Sequence, residues 1–418
     1  MELKKEIINI AKKAKIASRE LSLLSSETKN RVLEAMAQAL LDNAKIIIKA
    51  NKLDIANALR NRLTKALIDR LGVNKDRIDL MAKSILELTK LADPVGEVTK
   101  AWRRPNGLWI HKMRTAIGVI AIIYESRPNV TSDCIGLCFK SGNSVILKGG
   151  SEALNSNLAI YSVLKEVLKR NGICEDVISI VSSKNRKAVD VLSKLNNYID
   201  LVIPRGGESL INHVAKVSRI PVIKHYKGIC HVYVDEWADL NMAEKICFNA
   251  KVQRPGVCNA MESMLVNRHV AARFLPGMIK KFKEAGVEIR GCGFTRKIIK
   301  GVKKAREKDY RTEYLDLILS VKVVEDSKCA IEHINNYGSH HSDSIVTDNY
   351  DNAMEFLKQV DSACVYANAS TRFTDGYEFG MGTEIGISTD KLHARGPMAL
   401  EELTTYKYII FGNGQIRT

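Results

Sequence analysis

The sequence lacks a long hydrophobic run. Its longest apolar stretch, IGVIAII at 117–123, is far shorter than the roughly 20 residues that a membrane-spanning helix needs. The first 21 residues carry Glu2 and Glu6 and contain no apolar core of the kind found in secretion signals. We therefore expect a cytoplasmic protein without a membrane partner.

Paired cysteine and histidine motifs are also missing. The nine cysteines are scattered and odd in number, which favours a reducing compartment over a disulfide framework. Cys134 and Cys138 lie four residues apart, but no second pair of cysteines or histidines completes a zinc site. We expect no metal centre.

Acidic residues are too few to balance the basic ones, and the net charge is +17. The densest basic stretch, 295–311, also carries Glu307 and Asp309 and has no series of stacking aromatics. We interpret it as a solvated helical face. Positive charge would also attract anionic substrates and cofactors to an enzyme. A nucleic-acid-binding protein is the alternative from another class, and a salt titration of binding to random duplex DNA would identify it.

The periodicity of apolar residues divides the chain into regions. Helical spacing covers 1–95, and 101–125 predicts a hairpin with a Pro-Asn-Gly turn. Further strands are predicted at 118–124, 144–149, 177–181, 200–204, 231–235, 262–266, 317–324, 342–348 and 407–417. A helix is expected to begin with Ser151 as its N-cap and to end at Gly172. The alternation indicates an α/β fold with a doubly wound, mostly parallel sheet.

Glycine-rich loops of the P-loop and GxGxxG types are absent. Two other turns, VILKGGSEA at 145–153 and VIPRGGESLI at 202–211, each place two glycines between a strand and a helix. Glycines allow close approach of the backbone to a ligand, and helix N-termini favour anions. Two such turns in one domain suggest dinucleotide binding, although strand–Gly-Gly–helix turns also occur in α/β folds without this function.

Cys258 lies in a polar, turn-forming stretch, KVQRPGVCNAMES at 251–263. Buried structural cysteines prefer apolar surroundings, whereas reactive groups are often placed on loops. A free thiol titrates near about 8.5, so a catalytic one needs positive charge nearby, and Arg254 could supply it. A nucleophile and an ordinary loop thiol both remain open on these grounds.

The stretch INNYGSHHSDSI at 334–345 concentrates polar side chains. Adjacent histidines on a strand point to opposite faces, which argues against a shared metal ion. An exposed polar loop and a substrate pocket built from hydroxyl and imidazole groups are both consistent with this pattern.

Several of these motifs together resemble one family. They are YESRPNVTSD, LKGGSEALNSN, VIPRGG, KVQRPGVCNAMES and GMGTEIGISTDKLHARGPMALEELTTYKY. The likeness is to the aldehyde dehydrogenase superfamily, in the branch that reduces L-glutamyl 5-phosphate to L-glutamate 5-semialdehyde during proline biosynthesis, and it runs from about residue 5 to the end. The resemblance implies an oxidoreductase with a small-molecule substrate and a functional link to glutamate 5-kinase.

The resemblance also implies three structural parts. A Rossmann-like cofactor domain would comprise 1–102 and 115–224, and an α/β catalytic domain would comprise 225–382. A small β oligomerisation element would comprise 103–114 and 383–418, so we expect a homo-oligomer.

For the chemistry, the resemblance implies that Cys258 forms a thioester that NADPH reduces, with Asn129 as a donor to the oxyanion. NAD-using relatives have a glutamate where Ser151 aligns, so serine fits NADPH. His225 aligns with the glutamate that activates water in hydrolysing relatives, and its presence favours phosphate as the acceptor. The expected cofactor contacts are Lys148, Gly149, Gly150, Ser151, Gly206, Gly207 and Ser209. The expected substrate contacts are Arg127, Arg254, Ser339, His341 and Ser342. An acylating aldehyde dehydrogenase that uses coenzyme A or another acyl phosphate is the alternative within this superfamily.

Overall fold

The computed structural model describes residues 2–224 and 227–417 of the 418-residue chain, apart from the side chain of Ala66. These residues form two compact units. The first comprises 2–224, 380–386 and 398–417, and the second comprises 227–379 and 387–397. The sequence-based boundaries differ near the C-terminus, because they kept 383–418 together, whereas 387–397 belongs to the second unit.

The first unit begins with five helices, as the apolar spacing predicts. They are α1 (Glu2–Leu21), α2 (Ser26–Asp42), α3 (Ala44–Arg60), α4 (Lys65–Leu71) and α5 (Lys75–Lys90). The side chains of Ser25, Thr64 and Asn74 accept backbone hydrogen bonds at the starts of α2, α4 and α5, which satisfies N–H groups that have no partner within the helix. Ile7, on the buried face of α1, contributes to the core around the parallel sheet of this unit.

A parallel sheet follows. The parallel sheet contains β3 (Val119–Tyr124), β4 (Ser144–Lys148), β5 (Ile178–Ile180) and β6 (Leu201–Arg205). Two earlier strands, β1 (Val98–Arg103) and β2 (Trp109–Ala116), belong to another sheet of the same unit. The later helices of this unit are α6 (Asn129–Lys140), α7 (Leu154–Arg170), α8 (Lys187–Leu192) and α9 (Glu208–Val217). The sheet has the order β5–β4–β3–β6 with parallel pairing throughout. The strand order changes direction at β3, because β4 and β5 are added on one side of it and β6 on the other. Open α/β sheets bind ligands at the carboxyl ends of the strands at such a point.

The start of α7 corrects one prediction. Ser151 is not the N-cap, because one 3₁₀ turn (Ser151–Ala153) precedes the α-helix. The buried carboxylate of Asp54 accepts from the backbone N–H groups of Asn155 (3.2 Å) and Ser156 (2.7 Å) instead. A carboxylate from α3, about a hundred residues away, therefore caps this helix.

The second unit contains a seven-stranded parallel sheet. Its strands are β7 (Cys230–Val234), β8 (Met261–Asn267), β9 (Glu288–Gly291), β10 (Lys303–Lys304), β11 (Ile318–Val324), β12 (Ser342–Val346) and β13 (Cys364–Ala367). Its helices are α10 (Leu240–Val252), α11 (Arg268–Glu284), α12 (Gly293–Ile298), α13 (Ser327–Tyr337) and α14 (Tyr350–Gln359). The order is β10–β9–β11–β8–β7–β12–β13, and a small antiparallel pair, β14 (Ile387–Ser388) and β15 (Gly396–Pro397), completes the unit.

The basic stretch 295–311 does not form the single helical face that we predicted. It comprises the end of α12, the short strand β10 and a 3₁₀ turn over Glu307–Arg311. The turn is fixed by Asp309, whose carboxylate accepts from the Arg306 N–H (2.6 Å) and pairs with Arg290 at 2.7 Å. One acid of the stretch thus fixes a separate element within it.

The predicted hairpin is confirmed. β1 and β2 pair antiparallel across a turn in which Gly107 has φ +92°, a conformation that favours glycine. The C-terminal strand β16 (Thr404–Phe411) pairs antiparallel with β2 along eight residues. The result is a separate three-stranded sheet of order β1–β2–β16 in the first unit.

Candidate active site

Cys258 lies in the turn between α10 and β8, with its side chain partly buried. The β7 segment packs directly against its backbone. A Cβ added to Gly228 would overlap the backbone of Cys258, and the Cys230 thiol donates to the Cys258 carbonyl oxygen at 3.2 Å. These contacts hold the backbone of Cys258 against β7 and the residues that precede it.

Asn259 attaches the same turn to the segment after β13. Its amide Nδ2 donates to the carbonyl oxygen of Thr374 at 2.8 Å, and the Thr371 hydroxyl donates to the Asn259 carbonyl oxygen at 2.7 Å. The turn is thereby fixed from two sides, by β7 and by the 3₁₀ helix Thr371–Phe373.

A buried ion pair spans the base of the Cys258 turn. Lys251, at the end of α10, contacts Glu262, near the start of β8, at 2.7 Å, and both side chains have no exposed surface. Burial raises the pKa of Glu262 to about 7 and lowers the pKa of Lys251. The other Glu262 oxygen accepts from the Leu315 N–H at 3.0 Å, so the pair is fully integrated in the core.

Two arginines flank the turn. Arg254 is exposed and Arg372 is partly buried, with its Nε donating to the Gln253 side chain at 2.9 Å. Burial and the charge of Arg254 lower the pKa of Arg372, whereas Cys258 opposes that shift. Positive charge near a cysteine favours its thiolate, which is the nucleophilic form.

The polar stretch that leads into β12 contains both partly exposed and fully buried side chains. The hydroxyl of Ser339 accepts from the Ile229 N–H at 2.8 Å and is partly exposed. His341 and Ser342 are completely buried and lie 2.8 Å apart, Nδ1 to Oγ. Burial lowers the pKa of His341 to about 4. Protein atoms surround both groups, and the substrate-contacting role that we predicted for them stays a prediction.

All these groups converge on one edge of the sheet. Cys258 precedes β8, Cys230 begins β7, and Ser339 and His341 precede β12. Amino ends of parallel strands meet at the same edge, so this is the amino edge. Open α/β sheets usually bind ligands at the carboxyl edge, so a site at Cys258 would depart from that rule.

In the first unit, Lys148 ends β4 at the carboxyl edge. Its ammonium group donates to the Gly149 carbonyl oxygen at 2.7 Å. Burial lowers the pKa of Lys148, and the carboxylate of Glu152 opposes this shift. Glu152 accepts from both the N–H and the hydroxyl of Ser126 at 2.7 Å. A Cβ at Gly150 would overlap that carboxylate, so only glycine at this position leaves room for the Glu152 side chain. Ser151, between them, is exposed.

The second glycine pair follows β6 at the same edge. The Gly207 N–H donates to the carboxylate of Glu125 at 2.8 Å, and a Cβ at Gly206 would overlap this carboxylate. A Cβ at Gly207 would meet only Glu125, at 3.8 Å, so the backbone is open to a ligand there. Ser209 is exposed in the first turn of α9. The two glycine turns therefore flank β3, where the order of the sheet reverses.

The remaining predicted residues of the first unit lie around the start of α6. Arg127 is exposed, and Asn129 begins the helix with its amide donating to Asp133 at 2.9 Å. Both belong to the first unit, whereas Cys258 belongs to the second. His225 lies outside the described residues.

Sequence reasoning missed several of the residues around Cys258. Arg372, Asn259 and the Lys251–Glu262 pair have no local pattern that marks them, apart from the adjacency of Asn259 to the cysteine. Arg372 follows a short strand in the polar stretch NASTRFTD (368–375), which could have been searched for anion-binding groups.

Other sites are not evident in the described ranges. No group of three or more histidine, cysteine or acidic side chains there is placed to bind a metal ion. No helix within 2–224 or 227–417 is long and apolar enough to span a membrane. All nine cysteines lie in the described ranges, and none of them forms a disulfide.

Comparison with known proteins places this chain and its fold in one class. The sequence profile of the aldehyde dehydrogenase family matches residues 2–290. The chain therefore belongs to the aldehyde dehydrogenase family. Within it, the chain is 58% identical over 417 residues to the gamma-glutamyl phosphate reductase of Thermodesulfovibrio yellowstonii, and the alignment covers 100% of both chains.

Solved structures agree. The crystal structure of gamma-glutamyl phosphate reductase from Thermotoga maritima matches with a TM-score of 0.97 and 46% identity, covering 99% of this chain and 100% of that one. An acetylating aldehyde dehydrogenase from Geobacillus thermoglucosidasius shares the fold, with a TM-score of 0.68 at 16% identity over 100% and 98% of the two chains. The predicted superfamily and the α/β fold class are confirmed.

Proposed function

We propose that this chain is an oxidoreductase that reduces L-glutamyl 5-phosphate to L-glutamate 5-semialdehyde and phosphate, with NADPH as the reductant. This reaction would be the second step of proline biosynthesis, and glutamate 5-kinase would supply its acyl phosphate. The observation that carries the proposal is Cys258, fixed by β7 and by the segment after β13, with two arginines beside its turn. The full-length likeness to gamma-glutamyl phosphate reductases supports the choice of substrate.

In this mechanism the Cys258 thiolate attacks the acyl carbon, phosphate leaves, and a thioester remains. Both tetrahedral species carry negative charge on oxygen, and a well-placed donor to such an oxyanion contributes roughly 3–4 kcal/mol. The Cys258 backbone N–H and the amide of Asn129 are our candidate donors. After reduction the thiohemiacetal collapses, which releases the semialdehyde and regenerates the thiolate.

The carboxyl edge of the first sheet fits a nicotinamide dinucleotide. Lys148 supplies a cation, Gly207 leaves the backbone open, and α9 presents its N-terminus. The cofactor, when bound, supplies hydride. Gly149, Gly150, Ser151, Gly206 and Ser209 would line its path. Ser151 carries no charge to repel a 2′-phosphate, which favours NADPH over NADH.

On the substrate side, we propose that Arg254 and Arg127 bind anionic groups and that Ser339 donates a hydrogen bond. We keep His341 and Ser342, which are buried, as proposed substrate contacts. With a histidine at 225 in place of a water-activating glutamate, the thioester would react with phosphate and not with water.

The test runs the reaction in the oxidative direction, with L-glutamate 5-semialdehyde and NADP⁺. Without phosphate, we expect a burst of about one NADPH per active site, because the acyl-enzyme cannot turn over. Phosphate or arsenate should then support steady turnover. Cys258→Ala should abolish both phases, while Cys174→Ala, at an exposed position, should keep them.

Two outcomes would contradict the proposal. Steady NADPH formation by the unmodified protein without phosphate would identify water as the acceptor and the chain as a hydrolytic aldehyde dehydrogenase. Turnover that depends on coenzyme A and ignores phosphate would identify an acylating dehydrogenase of the other type.

A further inference from the structure

Arg372 is built into the wall of the Cys258 turn. It lies in the 3₁₀ helix Thr371–Phe373, next to Thr371, whose hydroxyl donates to the Asn259 carbonyl oxygen at 2.7 Å. Its own carbonyl oxygen accepts from the Asn259 amide at 3.3 Å. The backbone of Arg372 is therefore attached to the residue that follows the nucleophile, and its guanidinium group is held next to the same turn.

The guanidinium group is unusual in its partners. It donates to the neutral amide of Gln253 at 2.9 Å. Within the described part of the chain, neither Arg372 nor Arg254 forms an ion pair with a carboxylate. Burial and the like charge of Arg254 together lower the pKa of Arg372. Asp375 and Cys258 offset this effect only in part, and an anionic ligand beside Arg372 would stabilise its charge further.

We propose that Arg372, together with Arg254, binds the phosphate group of the acyl phosphate beside Cys258. The proposal rests on the proposed function and specifies the anion subsite of the same active site. In the forward direction the two guanidinium groups neutralise the departing phosphate, and in the reverse direction they position phosphate to attack the thioester. Arginine suits this role because its planar fork forms paired hydrogen bonds with phosphate oxygens.

L-Glutamyl 5-phosphate has a second anionic group, the α-carboxylate. This group lies at the far end of the carbon chain from the acyl carbon, whereas the phosphate is bonded directly to that carbon. The charge of Cys258 acts to raise the pKa of Arg372. Electrostatic interactions weaken with distance, so the two groups lie near each other. We therefore assign Arg372 to the phosphate on the reacting carbon and not to the α-carboxylate.

The first test measures the KM for phosphate during oxidation of L-glutamate 5-semialdehyde with NADP⁺. Loss of a charge-assisted hydrogen bond should raise this KM about ten- to a hundredfold in Arg372→Gln, with a smaller rise in Arg372→Lys. The KM for the semialdehyde should change little. Arg268→Gln is the matched control, because Arg268 pairs with Glu325 beyond the opposite, carboxyl edge of the sheet; it should leave both constants unchanged.

The second test requires no turnover. Inorganic phosphate should protect Cys258 of the unmodified protein from alkylation by iodoacetamide, as measured by mass spectrometry of the modified peptide. In Arg372→Gln the phosphate concentration for half protection should rise by a factor similar to that of the KM. Exposed Cys329 provides the internal reference, since phosphate should not protect it.

Each contrary outcome has a distinct meaning. A raised KM for the semialdehyde with an unchanged KM for phosphate would assign Arg372 to the α-carboxylate and overturn the proposal. Unchanged protection by phosphate in Arg372→Gln would overturn it as well. Failure of the proposed function would appear differently, as absence of phosphate-dependent turnover in the unmodified protein.

Discussion

Lys148 and Glu152 place opposite charges in one glycine turn, and the balance between them bears on cofactor choice. The ammonium group of Lys148 is nearly buried, and the Glu152 carboxylate raises its affinity for protons while accepting two hydrogen bonds from Ser126. A 2′-phosphate would need the cation and would be repelled by the carboxylate. The two side chains should therefore act in opposite directions.

Lys148→Ala should raise the KM for NADPH by about tenfold or more and the KM for NADH much less, because only NADPH carries the 2′-phosphate. Glu152→Gln should lower the KM ratio of NADPH to NADH. Lys169→Ala, at an exposed position on α7, is the control. Steady-state kinetics with both cofactors measure the ratio, and an equal effect of Lys148→Ala on both would show that Lys148 does not contact the 2′-phosphate.

His341 predicts a pH dependence of stability. Burial lowers its folded-state pKa to about 4, whereas the unfolded chain takes up a proton near about 6.5. The unfolded state thus binds more protons between these values, and the stabilisation present above about pH 6.5 is lost as the pH falls. The loss from this one side chain should be about 1.4 kcal/mol per pH unit below 6.5.

Urea unfolding at pH 7.5 and 5.5 tests this expectation. His341→Asn should lose less stability between these pH values than the unmodified protein, because one proton uptake is removed. His269→Asn, at an exposed position, should reproduce the unmodified slope. An unchanged slope in His341→Asn would show that His341 titrates normally in the folded state.

At the scale of elements, the α10–β8 connection depends on the Lys251–Glu262 pair. Removal of one partner from a buried ion pair leaves an uncompensated charge and typically costs about 3–5 kcal/mol. Glu262→Gln should therefore lower the free energy of unfolding by roughly this amount. The double variant Lys251→Met with Glu262→Leu should recover most of the loss, because apolar groups of similar size can replace such a pair.

Chemical denaturation of the three proteins provides the measurement, and the single-turnover burst reports whether Cys258 remains in place. If the double variant were as unstable as Glu262→Gln, the loss in Glu262→Gln would not come from the uncompensated charge of Lys251.

Patterns of neighbouring residues in the sequence predicted some structural elements correctly and others wrongly. The Pro-Asn-Gly turn predicts the β1–β2 hairpin because Gly107 alone supplies the positive φ that the turn needs. The start of α7 was predicted wrongly because its cap, Asp54, comes from another helix. Cys258 was recognisable from its neighbours in sequence. Arg372 was not, because 114 positions separate it from Cys258 and only tertiary packing brings the two together.

At the scale of the whole molecule, the β1–β2–β16 sheet is unusually exposed. Six of its large apolar side chains are about half exposed: Val98 (46%), Trp109 (47%), Tyr406 (52%), Tyr408 (51%), Ile410 (56%) and Phe411 (56%). Tyr406, Tyr408 and Ile410 alternate along β16 and so lie on one face of the sheet, where the rings of Tyr406 and Tyr408 are in contact. Apolar surface of this kind commonly marks a contact between proteins. We therefore retain the proposal that this sheet joins copies of the chain in a homo-oligomer.

Ile410→Asp should weaken the association and shift the protein toward smaller species, because a charge would be desolvated in the contact. Light scattering coupled to size-exclusion chromatography measures the mass. Leu23→Asp is the control, since Leu23 is 85% exposed on the turn after α1, and its mass should match that of the unmodified protein. An unchanged mass for folded Ile410→Asp would exclude this sheet from the contact.

The pairing of β2 with the C-terminal β16 has a consequence for biosynthesis. About 290 residues separate Ala116 from Thr404, and ribosomes add roughly 5–20 residues per second. The edge of β2 that will receive β16 is therefore without its partner for roughly 15–60 s on every nascent chain. Chains released early by a truncated message would never cover this edge, so they would be exposed to aggregation and to the quality-control machinery of the cell.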